Sequence, residues 1–261
     1  MDLGIAGKCA LVLGAGGGLG GAIAEALGGE GARVVVADID LDAAKQTVKS
    51  IISKGGEAFS IKWDISDLSV IDQNGGLVES RFGNVAILIN NTGGPPPTPV
   101  SGQTPDQWSK FFQSMVLSVI ALTDRVLPGM KSAGWGRIIT STSSGVVSPI
   151  PNLGLSNALR STLVGWSKTL AKEVGGAGIT ANIVLPGRIA TPRITFLDEQ
   201  KAKREGRSVE EVAAESTATI PVGRYGRPKE YGDTVTFLAS DRASFITGSI
   251  LRIDGGMIAS I

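Results

Sequence analysis

Histidine is absent from the 261 residues of the chain. Without it, neither a Ser-His-Asp nor a Cys-His catalytic unit can form, and most zinc sites lose their usual imidazole ligands. Any acid–base chemistry must therefore come from other side chains, and we expect no metal site.

Cysteine is nearly absent too. Cys9 is the only one, and it lies in the apolar run Cys9–Leu13, which reads as a buried strand. A single cysteine excludes a disulfide framework. The N-terminus reaches that strand within ten residues and shows no signal-peptide pattern. We therefore expect a cytoplasmic protein.

Long hydrophobic runs and an excess of charge of one sign are also missing. The most apolar long segment, residues 111–130, is interrupted by polar and charged side chains, which argues against a membrane span. Lysine and arginine number 25 against 24 acidic residues, with no basic stripe. The sequence therefore predicts no nucleic-acid and no membrane partner, and leaves a small-molecule substrate as the expected ligand.

Hydrophobic residues, at 42%, are numerous enough for the core of one larger α/β domain. Short apolar runs alternate with segments of helical spacing along the whole chain, which predicts a doubly wound parallel sheet flanked by helices. We expect one Rossmann-type dinucleotide-binding domain over residues 1–261. Residues 188–227 are more polar and are predicted to be only partly helical; they form a segment that covers the substrate.

The N-terminal unit predicts a nucleotide site. The strand Cys9–Leu13 runs into glycines from Gly14 to Gly20, a helix follows, and a second strand ends at Asp38. Glycines let the backbone approach a pyrophosphate, and the helix N-terminus offers free N–H groups and a positive dipole end. An acidic residue at the end of the second strand can accept the ribose hydroxyls.

Two glycine patterns fit this turn, Gly-x-Gly-x-x-Gly from Gly16 and Gly-x-x-x-Gly-x-Gly from Gly14. The strand ends at Leu13, so the turn must begin at Gly14, and the second pattern is preferred. Other polar or glycine positions fall where predicted strands end, and ligands bind at that edge of such a sheet. These positions are Gly14, Asp38, Asp64, Asn91, Ser143 and Pro186.

The chain resembles the short-chain dehydrogenase/reductase family over its full length, and within it the beta-ketoacyl carrier-protein reductase type. The resemblance rests on Gly14-x-x-x-Gly18-x-Gly20, Asp64-Ile65, Asn90-Asn91-Thr92-Gly93, residues 182–187, Thr191, and residues 237–241, 246–248 and 254–256. It implies NAD(P)-dependent interconversion of a ketone and an alcohol, and a homo-oligomer, either dimer or tetramer. The cofactor-binding positions that it implies are Gly14, Gly17, Gly18, Leu19, Gly20, Asp38, Asp64, Ile65, Asn91, Thr92, Gly93, Arg160, Pro186, Gly187, Ile189 and Thr191.

The resemblance breaks at the residues that move protons. Family members use a serine, a tyrosine, a lysine four residues later and an asparagine in an earlier helix. Alignment on Gly136 places these positions at Ser143, Ser156, Arg160 and Met115, so only the serine is retained. Met115 also lies on an apolar helical stripe, which indicates a core residue, and shifting the alignment by one residue brings no tyrosine into place. The candidate catalytic residues are Ser143, Ser156 and Arg160.

Two functions remain open. One is an oxidoreductase with altered proton chemistry; the other is an NAD-binding protein without turnover, such as a sensor or an inactive subunit. In either case we expect NAD rather than NADP, because Asp38 would repel a 2′-phosphate and the glycine turn holds no arginine or lysine.

Overall fold

Seven parallel strands form one sheet in the computed structural model of the chain, which describes all residues 1–261. The sheet order is β3-β2-β1-β4-β5-β6-β7. The strands are β1 (Cys9–Leu13), β2 (Arg33–Asp38), β3 (Glu57–Lys62), β4 (Val85–Asn91), β5 (Gly136–Ser141), β6 (Ile179–Pro186) and β7 (Ile250–Ile253). The chain reverses its direction of travel across the sheet between β1 and β4, which is where ligands bind in folds of this kind.

Nine α-helices connect and cover the strands. They are α1 (Gly18–Gly29), α2 (Leu41–Ser53), α3 (Ile71–Phe82), α4 (Pro105–Phe112), α5 (Ser118–Ala133), α6 (Gly154–Val174), α7 (Pro192–Glu205), α8 (Val209–Ala218) and α9 (Pro228–Leu238). The predicted doubly wound parallel sheet is confirmed. Residues 188–227 are partly helical, as predicted, since they contain α7 and α8 together with non-helical segments before, between and after them.

The core lies on both faces of the sheet. Leu11, Val35 and Leu88 point to one face, where they pack in a cluster with side chains of α3, α5 and α6. Val12 and Val34 point to the other face, where α1, α2 and α9 supply the partners. Because both faces are covered, the central strands are apolar at every position rather than alternating, as the runs in the sequence suggested.

The stretch Pro105–Ala133 is long and apolar enough to cross a membrane by length and composition alone. Here it forms α4 and α5, joined by a π-helical turn at Gln113–Leu117. Arg125 makes ion pairs with Glu79 at 2.7 Å and with Asp72 at 3.0 Å. Met115 and Leu122 are buried inside the protein. The π-helical turn and α5 are therefore packed into the core of the α/β fold, whereas α4 has no buried residue.

Candidate active site

A cavity of about 1040 Å³ opens where the strands end. It is lined by one or more residues from the carboxyl end of every strand from β1 to β6: Gly14, Asp38, Asp64, Asn91, Ser143 and Pro186. These are the six positions that the sequence placed at strand ends. The parallel arrangement of the sheet brings them to one edge, although they are spread over more than half of the chain.

Most of the predicted site residues line this cavity. They are Gly14, Leu19, Asp38, Asp64, Ile65, Asn91, Thr92, Gly93, Ser143, Ser156, Arg160, Pro186, Gly187, Ile189 and Thr191. Gly17, the N-cap of α1, and Gly18 and Gly20 in the first turn of that helix do not line the cavity wall. The sequence-based roles of these residues remain predictions, but their convergence on one cavity agrees with them.

The glycine turn is built so that only glycine fits at two places. Gly14 has φ +55°, in the left-handed region, and a Cβ on Gly20 would stand 2.1 Å from the Gly14 carbonyl oxygen. The Asn91 side chain holds the turn against β4, since its Nδ2 donates to the carbonyls of Leu13 and Gly14 at 3.3 and 3.2 Å. No side chain caps the N-terminus of α1. The first N–H groups of that helix are thus free for an anionic ligand.

Asp38 closes the same end of the cavity. Its Oδ2 accepts from the Gly16 N–H at 2.8 Å and its Oδ1 accepts from the Asp40 N–H at 2.9 Å. Each carboxylate oxygen keeps lone-pair capacity for a further donor, such as a ribose hydroxyl. The glycine turn and the helix N-terminus suit the phosphates of a dinucleotide, and Asp38 suits its ribose.

Arg160 lies at the other end of the cavity and is buried. Its Nη2 donates to the carbonyls of Thr92 and Gly93, both at 3.1 Å, and its Nη1 donates to the Ser141 carbonyl at 3.2 Å. The side chain therefore ties α6 to the ends of β4 and β5. Burial lowers the pKa of the Arg160 guanidinium to about 10, so the group stays charged at neutral pH.

Ser143 and Ser156 face the cavity near Arg160. The Ser143 Oγ accepts from the Gly145 N–H at 3.1 Å, which leaves its own hydrogen free for a substrate oxygen. Ser156 stands one helical turn before Arg160 on α6. Met115, expected as a core residue, packs in a cluster that includes Leu159 and also forms part of the cavity wall.

The cavity wall contains no tyrosine, lysine or cysteine, and the chain has no histidine. Its carboxylates are Asp38 and Asp64, which belong to the ends of β2 and β3, away from Arg160. At the Arg160 end, no lining side chain exchanges a proton near neutral pH. This agrees with the missing tyrosine and lysine of the alignment.

Sequence reasoning missed Tyr231 and Ser141. Tyr231 is fully buried on α9, and its hydroxyl lies 2.7 Å from the Ser141 Oγ. Burial raises the pKa of Tyr231 well above its usual range. Tyr231 does not line the cavity, whereas Ser141 does. Tyr231 shares the buried side of α9 with Val235 and Leu238, and nothing in the sequence indicated that its hydroxyl would meet Ser141.

Two arginines from the covering segment were also missed. Arg188 and Arg193 both line the cavity, the second from the first turn of α7. Of the apolar side chains in the first turns of α7, Ile194 and Leu197 line the cavity and Phe196 does not. Helical periodicity carries no signal for a cationic residue on a loop or in the first turn of a helix.

Comparison with known proteins decides the family. The family model described as enoyl-(acyl carrier protein) reductase matches residues 14–258. The 3-oxoacyl-(acyl-carrier-protein) reductase FabG of Salmonella typhimurium is 36% identical over 254 residues, covering 96% of this chain and 97% of the relative. The chain belongs to the short-chain dehydrogenase/reductase family. The chain is also similar to the D-beta-hydroxybutyrate dehydrogenase of Cupriavidus necator. The two are 33% identical over 258 residues, which cover 97% of this chain and 98% of that protein.

Solved structures agree with this family. The L-sorbose reductase of Gluconobacter frateurii, complexed with NADPH and L-sorbose, superposes with a TM-score of 0.94 at 30% identity and full coverage of both chains. A 7-alpha-hydroxysteroid dehydrogenase complexed with NADH superposes with a TM-score of 0.88 at 30% identity, over 99% of this chain and 97% of that one. Some of these short-chain dehydrogenase/reductase structures thus hold NADPH and others NADH.

Proposed function

We propose that the protein is an NAD(P)-dependent oxidoreductase that interconverts a ketone and an alcohol with altered proton chemistry. The observation that carries this proposal is that one cavity joins the glycine turn and Asp38 to Ser143 and Arg160. A dinucleotide held at the first end would extend toward the second. The reductases and dehydrogenases among its relatives support the same reaction class.

The residues of this chain that would hold the cofactor are those of the glycine turn, the start of α1, Asp38 and the strand ends beside them. Asp38 favours NAD over NADP in this proposal, because the basic residues of the cavity wall are Arg160, Arg188 and Arg193, all from other parts of the fold. None of the residues that line the cavity beside Asp38 is a lysine or an arginine that could neutralise a 2′-phosphate.

When bound, the nicotinamide supplies hydride chemistry. Ser143 then donates its free hydroxyl hydrogen to the substrate oxygen, and Arg160 stabilises negative charge on that oxygen from the same end of the cavity. Arginine keeps its charge and cannot deliver a proton as tyrosine does. Water reaching the open cavity therefore has to protonate the oxygen. Losing general acid help costs roughly 10²- to 10⁴-fold in rate, or about 3–5 kcal/mol of barrier.

A second candidate is a protein that binds NAD without turnover. It is favoured by one observation: the Nη atoms of Arg160 already donate to three backbone carbonyls. These hydrogen bonds are what a residue with a purely structural role would make. Cofactor binding that is preserved while every ketone and alcohol tested stays unchanged would support this candidate over the enzyme.

The pH dependence of turnover tests the altered proton chemistry. No group at the Arg160 end titrates near neutral pH, so we expect slow NADH oxidation whose kcat changes little between about pH 6 and pH 9. The measurement is the steady-state rate at which NADH absorbance falls, taken across a panel of ketones that includes a beta-ketoacyl thioester. A bell-shaped profile, or brisk turnover of the thioester, would show that an acid has been missed.

We also infer a cytoplasmic homo-oligomer, either a dimer or a tetramer. Support comes from β7, which pairs only with β6 and leaves one sheet edge free, and from Ile250 and Phe245 beside it, which are exposed. The outer side of α6 is lined by small exposed residues that allow close approach of another helix: Ala158, Thr162, Gly165 and Thr169.

A further inference from the structure

The two ends of the cavity carry opposite charge. Asp38 and Asp64 stand at the cofactor end, whereas the lining arginines stand at the substrate end. One of these, Arg188, is neutralised, because it donates to the buried Asp198 at 2.9 Å. Arg160 and Arg193 make no ion pair with any carboxylate of the chain. The substrate end therefore carries two uncompensated positive charges.

Both of these guanidinium groups are held in place by backbone carbonyls. Arg193 Nη2 donates to the Pro95 carbonyl at 2.8 Å, in a loop stiffened by three consecutive prolines. Arg160 is only 8% exposed, and its Nε has no acceptor in the protein. Holding a buried cation without an anionic partner is costly, which suggests that the missing partner is supplied from outside the chain.

The two groups face a common space over Gly94. A Cβ placed on that glycine would stand 3.6 Å from Arg193 Nη2 and 3.7 Å from Arg160 Nη2, with no other group outside its immediate chain neighbours within 4 Å. An anionic group over Gly94 would thus reach both arginines. Like charges brought this close repel each other, and an anion between them removes that repulsion.

We propose that the substrate is an organic acid whose carboxylate binds between Arg160 and Arg193, over Gly94. This rests on the proposed oxidoreductase function and names the substrate class of that site. The rest of the substrate end is lined by apolar side chains, among them Phe111, Met115, Ile150, Ile194 and Leu197. The acid should therefore carry an apolar body.

A carboxylate fits better than a phosphate. Four N–H groups of the two arginines donate to carbonyls, and the others, among them the Arg160 Nε–H, have no acceptor in the protein. A two-oxygen acceptor can take a bidentate pair of these donors, and its single charge is less costly to bury beside the apolar lining than the higher charge of a phosphate. A neutral thioester on a carrier protein would leave both arginines without their counter-charge.

Isothermal calorimetry tests the proposal without requiring turnover. The wild-type protein, saturated with NADH, is titrated with octanoate and separately with octanamide, which has the same body and no charge. A charge-assisted hydrogen bond is worth roughly tenfold to a hundredfold in affinity, so octanoate should bind at least about tenfold more tightly. In Arg193→Met, the affinities for octanoate and octanamide should differ by no more than about twofold. In Arg193→Lys, part of the preference for octanoate should return.

The matched control is Arg204→Met, which removes the same charge from the far end of α7, where the arginine is paired with Glu205 outside the cavity. It should keep the full preference for octanoate. Equal binding of acid and amide, no binding of octanoate, a preference that survives Arg193→Met, or tighter binding of octyl phosphate would each overturn the proposal. Normal NADH binding in those experiments would leave the oxidoreductase proposal intact, whereas a protein that binds neither NADH nor NADPH would remove that proposal as well.

Discussion

Arg160 stands where the family resemblance predicts a lysine, and the two side chains differ in what they can do at that position. A lysine places a mobile point charge near its ligand, whereas the planar guanidinium of Arg160 bridges the carbonyls of Thr92, Gly93 and Ser141. It is thus a tie between strand ends and also the buried cation nearest the proposed reaction. Both properties follow from the same geometry.

Arg160→Met tests which of these properties serves the reaction. If Arg160 stabilises charge on the substrate oxygen, turnover should fall at least about tenfold while NADH affinity is nearly kept. If it holds the nicotinamide ribose, NADH affinity should fall first. We expect the first result. Parallel steady-state kinetics and NADH calorimetry separate the two, and a variant unchanged in both would favour the non-catalytic candidate.

Asp38 is expected to select the cofactor. The wild-type protein should bind NADH at least about tenfold more tightly than NADPH, a difference of about 1.4 kcal/mol, because the carboxylate repels a 2′-phosphate. Calorimetry with both cofactors measures this. Asp38→Ser should bring the two affinities closer together, because it weakens the binding of NADH and leaves the binding of NADPH unchanged. Tighter NADPH binding by the wild type would contradict the prediction.

At the scale of elements, the junction of β1 and α1 has little tolerance for added atoms. The close approach of Gly20 to the Gly14 carbonyl brings the start of α1 against the strand end, and Asn91 fastens β4 to the same turn. Three elements therefore depend on atoms that a single methyl group would displace.

Gly20→Ala should push the start of α1 away from the end of β1. Its Cβ would stand 2.1 Å from the Gly14 oxygen and 2.9 Å from Asn91 Nδ2, so the turn must shift. We expect at least about tenfold weaker NADH binding and a loss of about 1–3 kcal/mol in the free energy of unfolding. Calorimetry and urea denaturation measure the two effects.

Gly29→Ala is the matched control in the same helix. A Cβ on Gly29 meets nothing within 4 Å, so this change should leave NADH binding unaltered and stabilise the helix by up to about 1 kcal/mol. Equal effects of the two substitutions would mean that the turn is not built for the pyrophosphate.

At the scale of the whole molecule, the open sheet edge and the small outer face of α6 predict assembly. Light scattering at micromolar concentration should give the mass of a dimer or a tetramer with two-fold symmetry. Gly165 is exposed on α6 and has open space around it, so Gly165→Arg should lower the mass without unfolding the chain. Gly29 is also exposed, but it lies on α1, so Gly29→Arg should leave the mass of the assembly unchanged. A monomeric wild type at that concentration would refute the prediction.

The fold and the cofactor end of the site are predictable from the sequence. Apolar runs such as Val85–Ile89 predict strands buried on both faces, and a parallel sheet must bring its strand ends to one edge. Gly14, Asp38 and Asn91 can therefore be placed together from the sequence alone. The family resemblance added the positions of Ser143, Ser156 and Arg160, which the cavity unites.

The environment of the substrate end, in contrast, depends on contacts between residues that are far apart in the chain. The partner of Tyr231 is 90 residues away, at Ser141. Arg193 meets the Pro95 carbonyl across 98 residues, and its position near Arg160 follows from how α7 is laid over the β4 loop. Periodicity reports which face of an element is apolar, but charge pairing depends on distances between elements that local sequence does not encode. For that reason the sequence predicts a nucleotide site, whereas the unpaired arginines, and the acid that we infer from them, became visible only in the folded chain.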